Sequence, residues 1–201
     1  YSNSNYVLLA LIIERLTASP FHVWMKEHVF SPLQMNNTFI DAMNLNNHAN
    51  CATPYLQMGE QHFVEAENTS LDIGASNGYT TATDLGRWMD NCRKPTSGWE
   101  RAFELLKTTD SVNDGGRNDY AFGVLVDDFY GNQRIQHSGG IPGFLAYTEY
   151  YPEEELSIVL LTNFTSFSVQ QKKTELLQLF LKNKSPKRAK RNKLKTKPLI
   201  M

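Results

Sequence analysis

The sequence predicts an α+β domain in which helices come first, antiparallel strands follow and one helix closes the chain. Three observations carry this. Tyr6 to Leu16 is a nearly continuous apolar run of helical length. Two strand-like runs, Leu145–Tyr151 and Leu156–Asn163, are separated only by Pro152-Glu153-Glu154-Glu155, too few residues for a crossover helix, so the pairing is antiparallel. An amphipathic stretch from about Phe167 to Leu181 then ends the structured part, with Val169, Leu176, Leu177 and Phe180 as its inward face.

Taken in order, the apolar run at Tyr6–Leu16 reads as a helix buried on most sides. Ser19-Pro20 suits an N-cap followed by proline at the first helical position. Phe21, Trp24, Met25, Val29 and Phe30 form the apolar face of that second helix, which Ser31-Pro32-Leu33 ends. Polar residues dominate 36–50, a long loop, and 51–79 is loop with at most a short strand. Thr81-Ala82-Thr83-Asp84 has capping-box spacing and starts a third helix through Leu85, Trp88, Met89 and Cys92. Trp99–Leu106 is a fourth helix and Asn113–Gly116 a turn. Tyr120–Val126 reads as a strand, and Gly131-Asn132 turns the chain back into Arg134–His137.

Charge divides the chain. Residues 182–201 hold nine Lys/Arg and no acid, against 11 basic and 21 acidic residues in 1–181. The body is therefore about −10 and the tail +9. The run at 184–201 lacks periodicity and reads as a solvated, disordered tail rather than a surface for nucleic acid or an anionic membrane. No stretch of 18 apolar residues is present. Cys51 and Cys92 make no disulfide framework, and five histidines show no metal-ligand spacing, so neither metal nor cofactor is expected.

Two groups of residues carry chemistry. Gly74-Ala75-Ser76-Asn77-Gly78 matches G-x-S-x-G, and Asp114 or Asp127 with His137 would complete a triad order. The residues before it are polar, however, where a nucleophile elbow needs an apolar strand. The second group is Tyr1-Ser2-Asn3 with His137-Ser138-Gly139-Gly140. A phenol and an imidazole can share a proton, an asparagine can hold a substrate amide, and glycines let a substrate approach the backbone.

Five segments in order join this second group into one pattern. Tyr1–Glu14 resembles the Y-x-N segment of class C-like serine β-lactamases and their esterase and D-Ala-D-Ala carboxypeptidase relatives. Phe30–Thr38 resembles that family's F-x-P-L-G-M-x-x-T element, with Gln34 where glycine is usual. Ser76–Leu85 is similar to its G-G-x-x-S-T-x-x-D-L stretch, Tyr120–Gly123 to its Y-G-x-G element, and His137–Phe144 to the H-x-G form of K-T-G. The resemblance covers 1–181, and implies a β-lactamase/transpeptidase-like fold with 182–201 as a separate tail. It implies that Tyr1 activates a serine and then water, that Asn3 orients the substrate amide, and that His137 supports the proton transfer. The Gly140 N–H would donate to the oxyanion, and Ser138 and Gly139 would line the substrate strand. The family nucleophile is the serine of S-x-x-K, and no serine of this chain has lysine three residues on.

The chain is therefore expected to be the C-terminal portion of such an enzyme, inactive alone, acting on a small-molecule or peptide acyl substrate once completed. A non-catalytic binding protein with the same cleft and an esterase using Ser76 are the alternatives. By resemblance the compartment is periplasmic, extracellular or membrane-associated; the oligomeric state is open. A portion lacking the first sheet strands would leave an unpaired edge and an uncovered apolar helix at Tyr6–Leu16.

Overall fold

The computed structural model describes residues 1–41, 50–67, 72–129 and 131–181. The predicted tail at 182–201 and most of the Asn-rich loop lie outside them. Helix α1 is Asn3–Thr17, and α2 is Phe21–Met25, running on through a π-helical turn at Lys26–Phe30. Short strands β1 (Phe39–Ile40), β2 (Tyr55–Gln57), β3 (Phe63–Glu65) and β4 (Gly78–Tyr79) follow. Then come α3 (Ala82–Arg93), α4 (Glu100–Leu106), β5 (Leu125–Phe129), β6 (Asn132–Ile141), β7 (Phe144–Tyr151), β8 (Leu156–Thr162) and α5 (Val169–Leu181). The main sheet has the order β5-β6-β7-β8, antiparallel throughout, while β1 pairs β4 and β2 pairs β3.

Strand alternation gives this sheet two unlike faces. Val126, Ile135, Tyr150 and Val159 point to one side and pack with Met89 and Cys92 of α3 and Phe103 of α4. Trp88 and Trp99 touch both this cluster and a second one, Val29, Phe30, Leu33 and Met35, so helices and sheet share a continuous core. On the opposite face, Tyr151 and Ile158 pack with Leu177 of α5 beside a buried set of charges. Arg134 holds Asp127 in a two-bonded fork (2.9 and 2.7 Å) and Glu149 at 2.7 Å, and Lys173 reaches Glu149 at 3.1 Å.

Local details depart from the sequence reading in several places, the first being that the expected loops at 36–50 and 51–79 hold four short strands, because β1 pairs with β4 and β2 with β3 across the intervening residues. Helix α1 forms as expected but is not buried: Ala10 alone is buried, while Leu8, Leu9, Leu11, Ile12 and Leu16 are exposed, Leu16 at 81 %. Its outer face meets no surface among the described residues. Ser19 does not cap α2; Pro20 takes that position, and the Phe21 N–H is met by Glu14 Oε1 of α1 at 2.7 Å. The capping box is half formed. Thr81 accepts the Asp84 N–H at 3.1 Å, but Asp84 turns away to the Asn37 N–H (2.8 Å), Thr38 (2.9 Å) and Arg87 (2.5 Å). Aspartate is one methylene shorter than the glutamate that normally reaches back.

The strand expected at Tyr120–Val126 begins only at Leu125. Residues 120–124 make a turn, with the Ala121 N–H on the Val124 carbonyl (2.8 Å) and Gly123 at φ +99°. In α5, Leu177 is buried against the sheet as expected, but Phe180 is 65 % exposed, and Lys173, 1 % exposed, is buried with Leu177. No single described helix is long and apolar enough to cross a membrane; only α1 and its neighbour together, bent by 84°, meet that measure.

Candidate active site

Four aromatic side chains meet where α1 comes nearest the sheet. Tyr1 sits just before α1, behind the extended residue Ser2 (φ −152°), and the residue is 74 % exposed. Tyr6 lies farther along the helix and turns inward. Tyr120 comes from the turn ahead of β5, where the Asn118 side chain accepts its N–H at 3.0 Å. His137 stands in the middle of β6, opposite Thr148 of β7.

The loop at Gly74 approaches this corner closely. A Cβ there would stand 2.7 Å from the Tyr6 carbonyl oxygen and 2.8 Å from Ala10 Cβ, and φ is +96°, so only glycine fits without displacement.

The groups form a connected set. Tyr6 Oη and Tyr120 Oη are 2.7 Å apart, and Tyr120 Oη is 3.2 Å from His137 Nε2. The Tyr1 ring centroid lies 5.5 Å from that of Tyr6, 5.6 Å from Tyr120 and 6.0 Å from His137. These four with Gly74, Ala75 and Gly123 line an open cleft of about 140 Å³. Burial, reinforced by the hydrogen bond to Tyr6, pushes the Tyr120 phenol well above the usual tyrosine range, so it stays protonated. Burial also holds His137 below its ordinary value, against a smaller opposing effect of a hydrogen bond with the Ser138 backbone. The imidazole is therefore neutral at pH 7.

Of the residues predicted from sequence, Tyr1 and His137 are brought together here. Asn3 is exposed at the first turn of α1, outside the cleft lining. Ser138, Gly139 and Gly140 are exposed on β6 beyond the point where β5 pairing ends at Gln136. Among the described residues they pair with β7 only, opposite Tyr147, Ala146 and Leu145. That leaves a free strand edge running away from His137. Ser76 lies on a turn with its hydroxyl on the Asp72 carbonyl (3.2 Å); the strand Gly78–Tyr79 follows it instead of a helix, which is not a nucleophile elbow. No cluster of His, Cys, Asp or Glu among the described residues could hold a metal. Tyr6 and Tyr120 are the residues that sequence reading missed. Both stood inside family-like segments, but nothing local signals that two hydroxyls 114 positions apart will meet.

A helical wall and an antiparallel-sheet wall thus meet at a Tyr/His cleft, and comparison with known proteins places the chain in a family. The family described as Beta-lactamase matches residues 1–181, and the chain belongs to that family. Protein flp of Staphylococcus aureus (strain MW2) is 25% identical over 170 residues, 83% of this chain and 33% of that protein. Penicillin-binding protein 4* of Bacillus subtilis (strain 168) is 28% identical over 200 residues, 90% of this chain and 42% of that protein. The chain thus spans between a third and somewhat over two fifths of these relatives. In structure it is similar to the octameric penicillin-binding protein homologue from Pyrococcus abyssi (TM-score 0.79, 22% identity, 94% of this chain and 43% of that one). The fold is that of the β-lactamase/transpeptidase-like proteins.

Proposed function

We propose that this chain supplies two walls of a serine acyl-transfer site that acts on an ester, peptide or amide. The observation that carries the reading is the pairing of Tyr1 with His137 across one cleft, next to the free, glycine-bearing edge of β6. Tyr1 is the general base that activates a serine and later water. Asn3 orients the substrate amide, and Ser138 and Gly139 receive the substrate chain. The Gly140 N–H is one oxyanion donor; removing such a donor typically costs about 10²–10³ in rate. His137 supports the tyrosine's proton transfer as a neutral imidazole. Its Nε2 is engaged by Tyr120, so its help to Tyr1 runs through its neighbours and not through a direct bond.

The nucleophile is not among residues 1–201 in S-x-x-K form, so these residues alone are inactive under this reading. The test is labelling by a fluorophosphonate and hydrolysis of an activated ester. Neither is expected for the 201 residues, and both are expected when a segment carrying S-x-x-K is joined ahead of Tyr1. Labelling of the 201 residues at Ser76 would overturn the proposal.

A further inference from the structure

His137, Tyr120 and Tyr6 form one hydrogen-bonded row that spans from β6 to α1. Acyl transfer as proposed above routes the histidine's help through its neighbours, and the row constrains how that histidine is held. Each phenol has a single proton to donate, and a neutral imidazole has one N–H. Whether Nε2 carries a proton therefore decides whether the Tyr120 hydroxyl donates to the ring or accepts from it, and a Tyr120 hydroxyl that donates to the ring is left to accept from Tyr6.

The surroundings select a direction. The hydrogen bond between the imidazole and the Ser138 backbone favours the protonated ring, which is the effect of a carbonyl acceptor on a ring N–H. The neutral ring keeps its one proton for that carbonyl, and Nε2 is left bare. A bare Nε2 at 3.2 Å calls for a donor, and the Tyr120 hydroxyl is the group there. Tyr120 Oη then accepts from Tyr6 at 2.7 Å.

We infer that Tyr120 is a positioning residue for His137 and Tyr6 for Tyr120: Tyr6 donates to Tyr120, Tyr120 donates to Nε2, and the imidazole is held as the Nδ1–H tautomer. The row orients the ring toward Tyr1 and denies Nε2 to the substrate. It also ties the sheet wall of the cleft to α1, the helix that begins next to Tyr1. The relevance to catalysis rests on the acyl-transfer reading; the tautomer does not.

The test is long-range proton–nitrogen NMR of the 201-residue chain labelled with ¹⁵N-histidine at pH 7.5. The expected His137 pattern is a protonated Nδ1 and a bare Nε2. Tyr120→Phe should lose that pattern, with the proton moving onto Nε2 or exchanging between both nitrogens. Tyr6→Phe should shift the same two resonances part of the way. A wild-type ring protonated on Nε2 overturns the inference, as does an unchanged Nδ1–H form in Tyr120→Phe. Should Tyr120→Phe not fold, the wild-type tautomer and the Tyr6→Phe shift decide. No substrate is needed, so this result is independent of fluorophosphonate labelling, which tests acyl transfer.

Discussion

Arg134 and Glu149 meet at 2.7 Å on diagonal positions of adjacent strands, beneath α5, and Glu149 is fully buried. Neither stands alone. Asp127 takes the rest of the guanidinium, while Tyr151 (2.7 Å) and Lys173 (3.1 Å) take the rest of the carboxylate. Buried charges persist only when paired and hydrogen-bonded in this way. The set ties β5, β6, β7 and α5 together on the sheet face opposite His137, with Glu149 paired to Gln136, the residue before it.

Glu149→Ala should therefore be among the more damaging single changes, since it strands Arg134 and Lys173 without their shared partner. A loss of about 3–5 kcal/mol is expected for breaking such a pair. Urea unfolding followed by circular dichroism measures it. A loss below about 1 kcal/mol would show that water reaches the site.

The pH dependence has two parts. The Arg134 hydrogen bond holds the Asp127 carboxyl below the usual range, so its contribution is complete above the unfolded value near 4 and is lost as pH falls through the lower folded value. His137, depressed by burial, is neutral in both states above about 6.5. Below that the unfolded chain takes up the proton first, and stability falls until the folded value is passed. His137→Gln should flatten the thermal midpoint between pH 6.5 and 5 and leave the fall below pH 4 in place.

Gly74→Ala should cost about 1–3 kcal/mol, because the left-handed backbone and the contact at the Tyr6 carbonyl both resist a Cβ. Gly98→Ala, also at positive φ (+89°) but in open space, is the control. It should lose less. Equal losses would mean that the contact with α1 adds nothing.

The two free cysteines should differ in reactivity. Burial pushes the Cys92 thiol up to about 11, and it lies in the core against Phe103 and Ile135. Cys51 is partly exposed. A maleimide at pH 7.5 should modify Cys51 within minutes and reach Cys92 only on unfolding, as mass spectrometry with and without urea would show.

The outer face of α1 should bind a hydrophobic dye and promote self-association, since Leu8, Leu9, Leu11, Ile12 and Leu16 lie together and uncovered. Leu9→Glu with Leu16→Lys should lower both dye binding and the sedimenting mass without lowering the unfolding midpoint. A dye signal unaffected by the pair of changes would place the sticky surface elsewhere, for example at Tyr55, Phe63 and Phe164.

Much of this protein was determined by sequence alone. Turn length made the sheet antiparallel, periodicity placed α1, α3 and α4, and five ordered segments indicated the family and singled out Tyr1 and His137. Such features are local, or are fixed by residue spacing. Tertiary structure decided the rest because it depends on contacts between distant segments. Helix α2 is capped by Glu14 from another helix and not by its own Ser19. Lys173 is buried on an amphipathic helix because Glu149 waits on the sheet below it. Gly123 breaks an apparent strand, and the resulting turn delivers Tyr120 to His137 and Tyr6. Only the folded chain tells which hydroxyl a tyrosine meets.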